Sequence, residues 1–275
     1  MNSIELCDVT KRFGAMTAVD RVSLIIDEPG VVAMLGPNGA GKTTTIDMLL
    51  GLRRPTSGSV RIFGIDPSVA RVRERIGCAP QQSGVPESLR VREILEFVAQ
   101  QYPRAFDVSQ TLSDFGLTQY ARRQAGVLSG GELRRLTLAL AFIGMPDLVM
   151  LDEPTNGLDL EARRGVWDYI RAYAAGGGTV LLTTHHMEEA EALASRIVVL
   201  NNGRIVRDGS AQEIRRSGTR RVSYVDSSGS KIVLSTDDSD TVVRELVRSD
   251  VAFSDLCVTG QSLEDAILSL FEEAV

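Results

Sequence analysis

The chain has 275 residues, 43% of them hydrophobic, which suits one large α/β domain or a domain of roughly 200 residues with a small appendix. A net charge of −6 argues against broad, nonspecific capture of nucleic acid, and no nucleic-acid partner is expected. No apolar run approaches the ~20 residues of a membrane span, and the N-terminus lacks a secretory pattern. These features point to a cytoplasmic protein that reaches a membrane by docking on a partner. Cys7, Cys78 and Cys257 are widely spaced, as expected of reduced, semi-buried residues rather than metal ligands or a disulfide framework.

Ile4–Val9 and Val19–Ile26 carry strand-like patterns, with Phe13 and Gly14 in the turn region between them. Val31–Leu35 is continuously apolar, like a strand in the middle of a sheet. It runs into Gly36-Pro37-Asn38-Gly39-Ala40-Gly41-Lys42-Thr43, followed by Thr44 and a helix to Leu50. This is the GxxxxGK[ST] pattern in its strand–loop–helix context. Gly36, Gly39 and Gly41 let the backbone curl so that N–H groups face phosphate oxygens, and the helix N-terminus adds its positive end. Lys42 can span the outer phosphates, and the Thr43 hydroxyl can complete a Mg²⁺ shell. The sequence predicts a nucleoside triphosphate site.

Pro55–Gly58 reads as a turn, Val60–Phe63 as a strand, Pro67–Val72 as a short helix and Arg75–Ala79 as a strand. From Gln81 the character changes. Ser88 reads as the N-cap of a helix presenting Leu89, Ile94, Leu95, Val98 and Tyr102, and Asp107 as the cap of another through Phe115. A third helical pattern carries Leu133, Leu136, Leu140 and Ile143, so residues of about 84–145 form a helical insert in the nucleotide core. Arg134 and Arg135 are either a solvated helix face or a balance for phosphate charge.

The core resumes with Leu148–Leu151, a buried strand ending in Asp152 and Glu153. That placement puts both carboxylates at the C-terminal edge of the sheet, Asp152 on the Mg²⁺ side and Glu153 as general base for water. Then come a helix over Ala162–Tyr173, a strand over Thr179–Thr184, a helix over Met187–Ala194 and a strand over Ile197–Leu200. A tight turn at Asn201–Gly203 leads into Arg204–Arg207. This alternation implies a largely parallel sheet with its ligand site at the C-terminal strand edges. Strand-like Arg221–Val225 and Ile232–Leu234, helix-like Thr241–Val247 and a last helix from Ser262 make a small α/β appendix without a catalytic pattern. The expected division is 1–216, a nucleotide-binding domain, and 217–275, an accessory domain.

Leu128-Ser129-Gly130-Gly131-Glu132 is a serine cap, two glycines and a helix start, a second end suited to anions. Over nearly all of residues 4–209 the chain resembles the nucleotide-binding domains of ABC ATPases, whose signature LSGGQ has LSGGE as a variant. The resemblance implies an α/β P-loop NTPase core of ABC type with an inserted helical subdomain. It makes Gly36–Thr43 the Walker A loop, Leu148–Asp152 Walker B and Glu153 the catalytic glutamate. Gln81 matches the glutamine that completes the Mg²⁺ and water site, with Gln82 as its competitor. Asp159 matches the D-loop aspartate, and His185 the histidine that contacts the γ-phosphate. Phe13 falls where an aromatic stacks on adenine, or is simply core. The family arrangement is a head-to-tail pair, here a homodimer, in which ATP on one Walker A loop meets Ser129, Gly130 and Gly131 of the other copy.

The same resemblance implies a transmembrane permease subunit, contacted around Ser83–Arg92. A looser similarity to ABC-2 type, daunorubicin-resistance-like exporters rests on Gly130–Arg135, Gly157–Asp159 and Ser262–Ala266. It implies export of a drug, lipid or polysaccharide. One alternative is a soluble ABC ATPase acting on ribosomes or DNA, although such chains usually carry two nucleotide domains or a long coiled-coil insertion. A P-loop kinase or GTPase is a second, without an acceptor site or base-reading loop to support it.

Overall fold

The computed structural model describes residues 2–81, 84–216, 220–249, 252–260 and 262–273. The chain divides into two compact units, Met1–Val206 and Arg207–Val275. β1 (Ile4–Phe13) and β2 (Met16–Ile26) form a hairpin that turns at Gly14, where φ is +57°. Both strands run past their predicted limits, so Phe13 closes a strand opposite Met16 instead of lying in the turn. β3 (Gly30–Leu35) is buried along nearly its whole length and leads through the glycine-rich loop into α1 (Lys42–Leu49). β4 (Ser57–Ile62) returns beside β1 and completes an antiparallel sheet in the order β2-β1-β4. α2 (Ala70–Arg73) begins later than Pro67, because the Asp66 carboxylate accepts both the N–H and the hydroxyl of Ser68 and holds a turn there. β5 (Ile76–Ala79) then enters the second sheet.

The helical insert comprises α3 (Val91–Ala99), α4 (Val108–Asp114) and α5 (Gly130–Phe142). Ser88 is not a cap. The Leu89 N–H donates to the Pro86 carbonyl in a preceding turn, and α3 starts only after Arg90, whose N–H donates to the Glu93 carboxylate at 2.8 Å. Asp107 caps α4 as expected, accepting the Gln110 N–H at 2.9 Å. Ser129 opens α5 with a reciprocal pair: its hydroxyl accepts the Glu132 N–H, and the Glu132 carboxylate accepts the Ser129 N–H at 2.7 Å.

The chain continues through β6 (Leu148–Asp152), α6 (Leu160–Ala175), β7 (Thr179–Thr184), α7 (Met187–Leu193), β8 (Arg196–Asn201) and β9 (Arg204–Gly209). The second sheet has the order β5-β6-β7-β3-β8-β9, and its pairings from β5 to β8 are parallel. Asp152 lies opposite Thr183 and Leu35 opposite Thr184, so these strands end on one edge. Leu6, Ile62, Met34, Met48, Met150 and Val198 share one buried apolar cluster that joins both sheets to α1. Burial of each such side chain stabilises by about 1.5–3 kcal/mol. Among the described residues no helix is long and apolar enough to cross a membrane.

The second unit begins at Arg207, ahead of the expected boundary after residue 216. In chain order it holds α8 (Ala211–Arg216), β10 (Arg220–Asp226), β11 (Lys231–Thr236), α9 (Ser239–Arg248), β12 (Phe253–Thr259) and α10 (Leu263–Glu273). The break falls early because α8 packs against α10, with Ile214, Leu263 and Ile267 buried, and so belongs to the C-terminal unit. β10 pairs antiparallel with β11 and β12; neither α8 nor β12 was expected. The cysteines also differ from expectation. Cys7 and Cys257 are exposed on strand faces and only Cys78 is partly buried; all three are free.

Phe142 of α5 anchors the insert to the sheet unit. Its ring meets Tyr169 and Tyr173 of α6 edge-on, each at 5.0 Å between centroids, and stacks near Phe115. Phe142→Ala is expected to destabilise this unit by about 3–5 kcal/mol, read by urea unfolding from the fluorescence of the single tryptophan, Trp167 of α6. Burial also raises Tyr169 from 10.0 to about 12 in the folded chain. The unfolded chain therefore ionises first, and the contribution present below pH 10.0 is lost as pH rises toward about 12. Tyr169→Phe is expected to flatten the alkaline limb of the stability–pH curve over that window.

Candidate functional site

The loop after β3 is fixed by its surroundings. A Cβ on Gly36 would lie 2.4 Å from the Leu200 carbonyl oxygen, and one on Gly41, whose φ is +103°, 2.4 Å from that of Ala18. Neither position has room for a side chain. Lys42 opens α1, is 7% exposed, and donates from Nζ to the carbonyls of Gly36 at 2.6 Å and Pro37 at 3.1 Å. Burial pushes its ammonium below the usual lysine range, while the Glu153 and Asp152 carboxylates pull it back up.

β6 delivers Asp152 to the same edge. The Thr43 hydroxyl donates to its Oδ2 at 3.0 Å and the Thr183 hydroxyl to its Oδ1, which ties the first turn of α1 to β6 and β7. Glu153 comes next with φ at +52°, a left-handed conformation held by its N–H, which reaches the Thr183 carbonyl at 3.0 Å and hydroxyl at 3.2 Å. The Glu153 side chain is 6% exposed. Its Oε2 lies 2.8 Å from His185 Nδ1 without hydrogen-bond alignment, and it has no hydrogen-bond partner among the described residues.

Arg134 is neither a solvated residue nor a phosphate-facing one. Its guanidinium is buried and donates to the carbonyls of Pro80 at 2.6 Å, Asp152 at 2.5 Å, Glu153 at 2.9 Å and Pro154 at 3.0 Å. Arg135 instead reaches the Gly116 carbonyl at 3.0 Å.

These elements enclose a cleft of about 470 Å³. Phe13 and Met16 from the hairpin, Asn38–Thr44 from the loop and helix start, and Gln81, Asp152 and Glu153 from the strand ends line it. Phe13 is 37% exposed, so it is not core; Lys11 and Arg53 sit 5.2 and 5.3 Å from its ring centre. Met16, Thr17, Ala18 and Asn202 also line the cleft, and sequence reasoning does not single them out. Met16–Ala18 arrive with the β1–β2 hairpin, and Asn202 because the Gly203 N–H donates to the Ala40 carbonyl at 3.1 Å. The turn pattern at 201–203 is the one available signal.

Ser129, Gly130, Gly131 and Asp159 do not line this cleft. Ser129 and Gly130 are exposed, a Cβ on Gly131 would lie 3.2 Å from the Gly157 carbonyl, and Asp159 caps α6 through the Ala162 N–H at 2.8 Å. Gln82 and Ser83 lie outside the described residues. Thr43 Oγ1 and Asp152 Oδ2 are hard oxygen donors beside a lysine, a set that fits Mg²⁺ carried in with phosphate.

Comparison with known proteins agrees with this geometry. The ABC transporter family profile matches residues 19–156. The Nod factor export ATP-binding protein I of Burkholderia lata is 41% identical over 221 residues, covering 78% of this chain and 73% of that protein. The daunorubicin/doxorubicin resistance ATP-binding protein DrrA of Streptomyces peucetius is 40% identical, covering 78% of this chain and 67% of its own length. Human ATP-binding cassette sub-family A member 13 is 40% identical across 81% of this chain, which spans only 5% of that protein. Among solved structures, an ATP-binding subunit of an ABC transporter superposes with a TM-score of 0.72 at 28% identity, covering 78% of this chain and 92% of that one. The dimeric bacterial cassette MJ0796 gives 0.69 at 26% identity, covering 75% of this chain and 98% of that one. In sequence and in fold, this chain belongs to the ABC transporter family and is built as one of its ATP-binding cassettes.

Proposed function

We propose that the chain is the ATP-hydrolysing subunit of an exporter and works as a head-to-tail pair docked on a separate transmembrane permease. The observation that carries this reading is the Glu153 carboxylate. It is buried on the cleft that Lys42 and Thr43 also line, and one oxygen has no hydrogen-bond partner. A buried carboxylate oxygen approached only by a misaligned histidine is costly unless a reactant uses it.

In this reading the phosphates of ATP lie over Gly39, Ala40 and Gly41 at the α1 N-terminus, held by Lys42 and by the N–H groups of the first helical turn. Asn38 and Thr44, which line the cleft, complete that cradle with Pro37 behind them, and Phe13 stacks on the base. Thr43, Asp152 and Gln81 would hold Mg²⁺, which when bound neutralises charge on the phosphates. Glu153 takes the proton of the attacking water, and His185, 2.8 Å from it, faces the γ-phosphate. Ser129, Gly130, Gly131 and Asp159 serve the nucleotide of the partner copy, which suits their position off their own cleft. MJ0796 is a dimeric cassette, and another structure of it is a post-hydrolysis state with ADP and phosphate. The nucleotide-binding domain expected over 1–216 would then correspond to the unit Met1–Val206, and the accessory domain to Arg207–Val275.

Relatives named for Nod factor export and for drug resistance favour an exporter over a soluble machine on ribosomes or DNA. Cargo of drug, lipid or polysaccharide type would be selected by the permease. The chain would sit on the inner face of the membrane, with the stretch Ser83–Arg92 meeting the permease.

Glu153→Gln is expected to lower the hydrolysis rate by about 10²–10⁴-fold while preserving ATP binding. By light scattering it should form a dimer with ATP–Mg²⁺ and not with ADP, and adding Ser129→Arg should abolish that dimer. A monomer under every condition would overturn autonomous pairing. Phe13→Ala is expected to weaken ATP binding about tenfold, the value of losing one stacked base, with the maximal rate nearly unchanged. Equilibrium binding and steady-state rates separate the two effects.

A further inference from the structure

We propose that Glu153, His185 and His186 form a second metal site, which takes a transition ion of the Zn²⁺ class and arrests hydrolysis when filled. The binding part stands on the cluster alone; the arrest rests on the role proposed above for Glu153. Each of the three side chains offers one ligand atom, and these atoms all lie within 4.8 Å of one another. His185 Nδ1 already sits 2.8 Å from Glu153 Oε2, and the two imidazole rings are 4.0 Å apart. A tetrahedral ion with arms of about 2.0–2.1 Å has ligand edges of about 3.4 Å, so small rotamer adjustments close the set. Glu153 Oε2 is also buried and, apart from the misaligned approach of His185 Nδ1, meets no hydrogen-bonding group, which leaves it open to an ion.

The donor chemistry separates this site from the magnesium set. Two imidazoles and one carboxylate are the ligands of tetrahedral Zn²⁺ sites with an open fourth position, and they suit Co²⁺ and Ni²⁺ as well. Mg²⁺ prefers oxygen throughout and has Thr43 and Asp152 for that purpose. The backbone at His186 is anchored by its N–H, which donates to the Thr184 hydroxyl at 3.0 Å, and its side chain makes no capping hydrogen bond to α7. The imidazole is therefore free of a structural duty at that helix end. A bound ion would occupy the lone pair with which Glu153 accepts the proton of water, leaving the loop contacts to nucleotide intact. The maximal rate falls, while Lys42 and the glycine-rich loop keep most of the ATP affinity and only the His185 contact to the γ-phosphate is affected.

The test is a Co²⁺ titration of the nucleotide-free full chain, followed by its visible absorption bands, with Zn²⁺ as competitor. It uses a Cys7→Ser, Cys257→Ser background, since both thiols are exposed, whereas Cys78 is partly buried with its thiol pushed up to about 12 and stays protonated. One ion per chain is expected. Adding His186→Gln should weaken binding about tenfold or more, the least expected for a lost ligand. It should raise the Zn²⁺ concentration for half-inhibition of the Mg²⁺-ATPase by the same factor, while ATP binding and the zinc-free rate stay at background values and certify the fold. Undiminished Co²⁺ binding in the His186→Gln chain, or no stoichiometric binding in its parent, overturns the site. Stoichiometric binding without loss of rate overturns the arrest. A parent chain with no ATPase activity at all defeats the hydrolytic reading instead, and the titration still decides the site.

Discussion

The edge of the sheet depends on a buried guanidinium. Arg134 places one planar fork of donors against four carbonyls, those of Pro80, Asp152, Glu153 and Pro154, which lie at the ends of two neighbouring strands and just beyond. Burial disfavours its charge, and the Asp152, Glu189 and Glu153 carboxylates favour it; arginine is basic enough to remain a cation under both influences. Without it, the buried carbonyls of Asp152 and Pro154 would lose this donor, at about 1–3 kcal/mol each, while that of Glu153 would keep the Asn156 N–H at 3.2 Å. Arg134 also lies on α5, one turn past Ser129, so the fork couples the helix end at Ser129–Gly131 to the strand ends that carry Gln81 and Glu153. A displacement of α5 would act through these bonds on the strand ends that carry Gln81 and Glu153.

Thr183 makes a second such connection. Its hydroxyl donates to Asp152 and accepts from the Glu153 N–H, which a hydroxyl can do at once. This pair of bonds holds Glu153 in a left-handed backbone conformation that costs about 1–3 kcal/mol in a residue with a side chain. Strain at this position is maintained by the sheet, because Thr183 is fixed by its register opposite Asp152. The site is therefore a consequence of strand alignment, with β7 lying between the strands that deliver Asp152 and Lys42.

Much of this could be read from residue order. The continuous apolar runs at Val31–Leu35 and Leu148–Leu151 mark buried parallel strands, and the residues after each run must emerge at one edge. Caps at Asp107 and Ser129 were legible because their partners lie three residues away. Long-range contacts were not. Nothing near Arg134 in sequence announces carbonyls contributed by Pro80 and by the segment at 152–154, and periodicity alone left it between surface and phosphate. Likewise Met16 and Asn202 enter the cleft through a hairpin and a turn from opposite ends of the unit. Ser88 misled because a capping residue type occurred before the helix, where a turn closed by Pro86 and Leu89 already used the local hydrogen bonds. β12 alternates weakly, with most of its residues exposed, and left no clear apolar face to detect.

The position of Ser129–Gly131 bears on how a nucleotide could drive the proposed pair. The Ser129–Glu132 capping bonds satisfy two N–H groups at this helix end, while Gly130 and Gly131 sit in the first turn, where helix geometry supplies no carbonyl acceptor. Such N–H groups suit an outside anion, and a charge-assisted hydrogen bond contributes about 1.5–3 kcal/mol. A ligand moves an equilibrium only by its differential affinity, and a swing from 1:99 to 99:1 needs about 5.5 kcal/mol. In a symmetric pair two γ-phosphates act together, so two or three such bonds per site are of the required size. In the proposed pair ADP, without that phosphate, would make none of them. The same few contacts can therefore hold the pair closed before hydrolysis and release it afterwards, with no change in how either nucleotide sits on its own loop.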